Sequence, residues 1–300
     1  MSTLQRLTDK GLLRPPRWLP GNTQYETIMG SVAYGVSSDT SDVDVYGWAI
    51  PPKEEAFPHL RGEIPGFGQP AKRFEVFQEH HVADRDALGG HGRTYDLTIF
   101  GIVKFFALAM RNNPNIIDSL FTPTTCVLHQ TRVGGLVREN RRLFLHKGAW
   151  PTFKGYAYSQ LHKLAIKAPV GKRAELVAEH GYDTKFGYHV ARLIGEVEQI
   201  LIEGDLDLQR DNERLKAIRR GEWTEDRLRR WFAEKEARLE RAYLESNLRA
   251  TPDEPGIKRL LLQCLEEHYG SLENCVVEPD RAVAALRNIQ AELERVKELL

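Results

Sequence analysis

An α+β fold followed by an all-helical C-terminal region is predicted by three observations on this 300-residue chain. Short β-prone runs separated by Pro/Gly-rich connections fill the sequence up to about residue 125, and apolar residues at helical spacing take over beyond about 130. Between two early runs lies a Gly-Ser turn, and at the start of the next run two aspartates stand one residue apart. The predicted division is residues 1–130, a mixed sheet with helices, and residues 131–300, helical. The length suits two domains, with ample core for both.

The first strand is expected at Tyr25-Glu26-Thr27-Ile28-Met29. Gly30-Ser31 then opens a turn into Val32-Ala33-Tyr34. A glycine here lets a ligand approach the backbone, free N–H groups attract phosphate, and the Ser31 hydroxyl adds another hydrogen bond. A Gly-Ser turn alone is commonplace; its neighbours give it meaning.

The second strand, Val43 to Ile50, is rich in β-branched and aromatic residues. Asp42 and Asp44 stand at i and i+2, so both carboxylates leave one face about 7 Å apart. Paired carboxylates repel unless a cation neutralises them, which favours Mg²⁺ over a structural role. A calcium loop starting at Asp42 fails in register: Gly47 suits the sixth position, but the fifth and twelfth hold Tyr46 and Lys53.

A long insertion follows from Ile50 to Arg93, with Pro51-Pro52 and Gly62–Gly68 as breakers. Its Ala83–Gly90 part reads as loop, making Asp84 and Asp86 weaker candidate ligands. His80, His81 and His91 fit no familiar metal-binding spacing. Arg93–Phe100 is the next strand, with Thr94, Asp96 and Thr98 on one face and Tyr95, Leu97 and Ile99 on the other. Asp96 is therefore a third candidate acid, the alternatives being a solvated strand acid or a helix N-cap. The apolar stretch from Leu97 to Met110 carries Lys104 and is too short to span a bilayer, so a buried helix is expected after the strand.

In the helical half, Thr184–Glu203 is the best-formed helix, with Phe186, Val190, Leu193, Val197 and Ile200 as its buried stripe. Lys185, His189 and Arg192 recur at i, i+4 and i+7 on a neighbouring stripe, where three nitrogen donors could meet an anion; a solvated face is the alternative. Tyr156, Gln160, Lys163 and Lys167 share a face of an earlier helix, as phosphate donors or ordinary surface residues. Residues 210–241 interleave eleven Lys/Arg with eight Asp/Glu, which reads as an ion-paired face more than a nucleic-acid patch. Trp223 and Trp231 could stack on bases or pack inside. The last segment, through Val283, Leu286, Ile289, Leu293, Val296 and Leu300, is an amphipathic helix able to cover the core or pair with another subunit.

Lys plus Arg equals Asp plus Glu at 42 each, so no global field draws in nucleic acid and any such contact needs a local basic surface. Cys126, Cys264 and Cys275 are odd in number and far apart, which suits reduced thiols without a zinc site. The amino terminus lacks the apolar core of a secretory signal. A cytoplasmic protein with no membrane partner is expected.

Gly30-Ser31, a spacer and Asp42-x-Asp44 on the next strand resemble the nucleotidyltransferases of the DNA polymerase β superfamily. Gly155–Gln160, Asp183–Ile194, Ile218–Trp223 and Asn113-Pro114-Asn115 look like a bacterial and phage branch of predicted nucleotidyltransferases associated with RNA repair, so the resemblance covers roughly residues 22–230. It implies a polymerase-β-like palm in which Asp42, Asp44 and a third acid, taken as Asp96, are catalytic and hold two Mg²⁺ or Mn²⁺ ions. Gly30, Ser31, Lys163, Lys185, His189 and Arg192 would bind the NTP. The implied reaction moves an NMP to a hydroxyl, foremost on an RNA end, whether a tRNA or a broken RNA, with release of pyrophosphate. Transfer of AMP to a protein, in the manner of toxin–antitoxin systems, and a catalytically silent nucleotide-binding module are the competing readings. The silent module predicts a missing metal acid.

Overall fold

The computed structural model describes residues 1–37, 42–57, 73–166, 170–271, 275 and 281–298. The Gly62–Gly68 breaker, Lys167 and Leu300 lie outside the described residues. Helix α1 (Thr3–Asp9) starts at Ser2, whose hydroxyl accepts the Gln5 N–H, and α2 (Leu19–Asn22) leads into β1 (Thr23–Ile28). Then come β2 (Val43–Ala49), α3 (Lys53–Ala56), β3 (Val76–Asp84), α4 (Ala87–Gly90) and β4 (Arg93–Gly101). Helices α5 (Ile102–Met110) and α6 (Pro114–Phe121) precede β5 (Val127–Gln130). Among the described residues all later elements are helical: α7 (Arg132–Glu139), α8 (Ala149–Ile166), α9 (Lys172–His180), α10 (Thr184–Glu203), α11 (Asn212–Arg219), α12 (Glu225–Glu245), α13 (Glu254–Tyr269) and α14 (Arg281–Glu298).

The sheet is mixed, in the order β3-β4-β2-β1-β5, with β2 and β4 parallel and the other pairs antiparallel. Alternation along β2 and β4 gives it two unlike faces. Val43, Val45, Tyr95, Leu97 and Ile99 pack against Leu4, Leu7, Leu13 and Leu19, while Trp48 joins a larger core running through α5, α6, α8 and α10. The acids are on this second side, toward the helical half. The Glu26 carboxylate, fully buried on the first side, accepts the Thr3 and Leu4 N–H groups and so closes the start of α1.

Two elements differ from expectation. The insertion contains a nine-residue strand, β3, which is an edge strand with most of its residues exposed and hence lacks an apolar alternation to read. Helix α10 has the predicted bounds, but Arg192, Glu196 and Gln199 on its second stripe are buried along with the first. It is a central helix, packed by α8, α11 and α12, capped by Asp183 at its start and by Gly204 in the left-handed region at its end. No helix among the described residues is long and apolar enough to cross a membrane.

Candidate active site

Parallel pairing of β2 with β4 sets Asp44 opposite Asp96 in register, so the two side chains rise side by side from strands about 4.8 Å apart. Asp42 lies two residues before Asp44, exposed at the entry to β2. Burial raises the Asp44 carboxyl above the ordinary range, and the neighbouring charges of Asp96 and Asp42 push the same way; Lys185 and His80 oppose them. Asp96 is fixed from β3. A bulge between Glu79 and Val82 holds His81 at φ 57°, and its N–H donates to Asp96 Oδ1 at 2.7 Å. The Nδ1 atoms of His80 and His81 lie 3.7 and 3.8 Å from that oxygen.

Gly30 sits directly above Asp44. Its φ of +68° is left-handed, and a Cβ there would fall 2.2 Å from Asp44 Oδ2, so both backbone shape and space demand glycine. The Met29 N–H donates to the Asp44 carbonyl at 2.7 Å, which ties the turn to β2. The turn closes through Tyr34 N–H to Gly30 O and Val36 N–H to Ser31 O, at 3.3 and 2.8 Å. The N–H groups of Ser31, Val32 and Ala33 have no protein acceptor among the described residues, and Ser31 is half-buried. Two side chains from the helical half brace the turn: Gln209 Nε2 donates to Ala33 O at 3.2 Å, and Arg219 donates to Val36 O.

Cations converge from the start of α10. Lys185 is exposed and close enough to lower the Asp44 carboxyl. One turn further on, the His189 imidazole is pulled down to about 3, first by burial and then by Arg192, Lys185, Arg173 and Arg219. It is neutral near pH 7 and supplies a donor rather than a charge. Arg173 stacks on Phe186 at 4.3 Å and pairs with Asp183 at 3.0 Å, and Arg219 lies 5.8 Å from the Tyr188 ring centre.

A sequence profile of the RNA repair pathway DNA polymerase beta family, RlaP, matches residues 12–260. The chain belongs to this family. Comparison with curated proteins finds no match. Among solved structures, a nucleotidyltransferase-like protein from Exiguobacterium sibiricum 255-15 overlaps with 9% identity, 81% of this chain and 75% of that one covered, at a TM-score of 0.28. That overlap is too loose to locate residues.

In this RlaP-family chain the structure brings together Gly30, Ser31, Asp44 and Asp96, with Asp42 at the rim and Lys185 above. It parts Arg192 from them. Arg192 is 7% exposed and inward-facing: its Nη1 pairs with Asp118 and, at 3.0 Å, with Glu196, while Tyr34 OH donates to Asp118 at 2.7 Å. The expected three-donor face therefore holds one exposed cation, one neutral imidazole and one buried ion pair, because α10 is enclosed on sides that its own periodicity does not report. Lys163 is exposed on α8 and is not among the main charges acting on Asp44. Asp84, read as loop, is the last residue of β3, buried and paired with Arg6 at 2.8 Å and Lys10 at 2.7 Å.

Residues that the sequence did not single out are Gln209, Arg173, the His81 N–H and Asp118. Arg219 and Asn115, whose side chain hydrogen-bonds Tyr46, stood within quoted motifs without a role. Among the described residues, no three His, Cys, Asp or Glu side chains are gathered as a complete metal-ligand set. What the site offers is a half-buried pair of hard oxygen donors that repel each other, the kind of donor that Mg²⁺ and Mn²⁺ accept.

Proposed function

We propose that this chain is a divalent-metal-dependent nucleotidyltransferase that moves an NMP from an NTP to a hydroxyl at an RNA end and releases pyrophosphate. The observation that carries this reading is Asp44 in register with Asp96 beneath a turn whose Ser31, Val32 and Ala33 N–H groups have no acceptor among the described residues. Unpaired amides attract phosphate, and the adjacent uncompensated carboxylates suit a cation shared with that phosphate. Asp44 and Asp96, with Asp42 at the rim, would hold Mg²⁺ or Mn²⁺, which would supply charge neutralisation and acidify the acceptor hydroxyl.

The protein groups divide the remaining work. The Ser31 hydroxyl and the three amides hold the terminal phosphates, and Lys185 counters the negative charge that grows on the leaving pyrophosphate. Neutral His189 donates a hydrogen bond without adding to the crowded positive charge. Asp96, held by the His81 N–H, stands where it can take the proton of the attacking hydroxyl. A new bond forms from that oxygen to the α-phosphorus as the bond from the α-phosphorus to the bridging oxygen breaks. RNA is favoured as the acceptor because the family is an RNA repair pathway family.

The test is incubation with each α-³²P NTP, Mg²⁺ or Mn²⁺, and short RNAs or a cell lysate. Label on RNA that disappears with Asp44→Asn is the expected result. Label on protein replaces RNA by a protein acceptor, and transfer undiminished in Asp44→Asn overturns the proposed chemistry.

A further inference from the structure

The charged stretch 210–241 separates into two populations. Among the described residues, seven of its eleven basic residues have a carboxylate partner, including Arg214 with Asp211 at 2.6 Å and Lys235 with Glu198 at 2.5 Å. Arg219 is used on the turn at Val36. Of the remaining three, Arg227 and Arg230 line the same cleft, and that cleft also contains both tryptophans of the region. It lies between α11 and α12, encloses about 570 Å³, and among the described residues has a single acid, Glu234, in its lining.

Its chemistry alternates flat and cationic surfaces. Trp223 and Trp231 meet edge-on, with ring centres 5.9 Å apart. The Arg227 guanidinium lies 4.3 Å from the centre of the Trp223 ring, and that of Arg214 lies 5.4 Å from the centre of Trp231. Trp223 is nearly enclosed, so Arg227 offers the outer stacking plane, and Trp231 is half-exposed beside it. The Arg214 Nη1 atom is buried without a hydrogen-bond partner among the described residues. Stacked planes tolerate any base, and guanidinium groups without carboxylates meet phosphates. A duplex would bury its base faces against each other and leave these planes unused.

We propose that this cleft binds single-stranded RNA, holding the acceptor strand whose end reaches the acid face. The proposal rests on the reading of the acceptor as RNA. Its placement is apt: Arg214 and Arg219 stand on different sides of α11, five residues apart and so about 8 Å along its axis. One helix, about 10 Å across, separates the cleft from the Gly30–Val36 turn.

The experiment is fluorescence anisotropy of a labelled single-stranded RNA 12-mer and of the matching duplex, titrated with the full chain at several salt concentrations. Wild type, Arg227→Gln/Arg230→Gln, Trp231→Ala and Asp44→Asn are compared, with NTP binding by equilibrium dialysis and circular dichroism as controls on folding. The double variant should bind the single strand at least tenfold more weakly, with a salt slope shallower by about 1.4, while NTP binding stays unchanged. Trp231→Ala should weaken single-strand binding about five- to tenfold or more with little change of slope. Asp44→Asn should bind RNA as wild type does; if the wild type itself shows no NMP transfer while its RNA binding and the loss in the double variant stand, the transferase reading falls and the cleft remains. Single-strand binding undiminished in the double variant, or duplex bound as tightly as single strand, overturns the proposal. Should Trp231→Ala not fold, the double variant decides alone, since both of its arginines are on the surface of the cleft.

Discussion

Two groups of carboxylates lie on the same side of the sheet and are treated in opposite ways. Asp118 and Glu196 are entirely buried, and Arg192 stands between them with Tyr34 adding a hydrogen bond. Asp44 and Asp96 are half-buried, face each other in register, and have Lys185 and two exposed histidines nearby, and among the described residues no guanidinium forms an ion pair with either. Burial raises the carboxyls of the inner group and Arg192 opposes the rise; at Asp44 burial and two like charges act together. An enclosed acid group with its own cation is architecture. A cleft acid pair without one suits the cation and anion that the proposed function brings from outside.

The largest way to break this contrast is to remove the inner cation. Arg192→Met leaves Asp118 and Glu196 buried without a counter-charge, and urea unfolding should show a loss of about 3–5 kcal/mol; a loss below about 1 kcal/mol would mean that the inner group is as open as the outer one. Asp118, which accepts the hydroxyl of Tyr34 from the 30–36 turn, should lose its fixed position in the same variant.

Next in size is Gly30→Ala, which puts a Cβ 2.2 Å from Asp44 Oδ2 at a φ of +68°. Left-handed strain alone costs about 1–3 kcal/mol, and transfer should fall at least tenfold as Asp44 is displaced. Retained activity with wild-type stability would show that the turn and the acid are independent.

How much of this contrast was legible in the sequence depends on whether a signal was local. Gly30-Ser31, Asp42 and Asp44 were readable because turn chemistry and strand alternation act within a few residues. Asp96 was readable as an acid on a polar strand face; that it stands opposite Asp44 follows from parallel pairing across the insertion, which no local pattern states. The bounds of α10 were written in its apolar spacing. The burial of Arg192 was not, since it depends on α6 bringing Asp118 across from 74 residues away. Strand β3 stayed hidden because an exposed edge strand needs no apolar face, and with it went the His81 N–H that fixes Asp96. The mixed, ion-paired nature of 210–241 was legible; that Arg227 and Arg230 stand beside two tryptophans with no carboxylate partner among the described residues was not.

A third, smaller effect tests a neutralised acid outside both groups. Asp84 is 1% exposed and its carboxyl is held below the ordinary range by hydrogen bonds from Lys10 and, after the opposing cost of burial, from Arg6. A depressed folded-state value adds stability that is present above about pH 4 and disappears as pH falls through the lower folded value. Asp84→Asn should therefore cost about 1 kcal/mol at pH 7, and its gap from wild type should narrow below pH 4. A gap that widened on acidification would reverse the assignment.

The smallest stability effect has the opposite sign. Asp44 has a raised carboxyl, so its penalty in the folded protein is absent below about pH 4 and complete once pH has risen through the folded value. Asp44→Asn should match wild type in acid and exceed it by up to about 1 kcal/mol at pH 7, while abolishing transfer. Equal loss of stability and activity would make Asp44 a structural acid like those around Arg192.

The central claim, that Asp44 and Asp96 form an acid pair awaiting a cation, is tested most directly by Mn²⁺ binding followed by electron paramagnetic resonance. Wild type should bind Mn²⁺, Asp44→Asn and Asp96→Asn should each lose at least tenfold in affinity, and Asp84→Asn should be unchanged. Mn²⁺ bound equally well by wild type, Asp44→Asn and Asp96→Asn would contradict it.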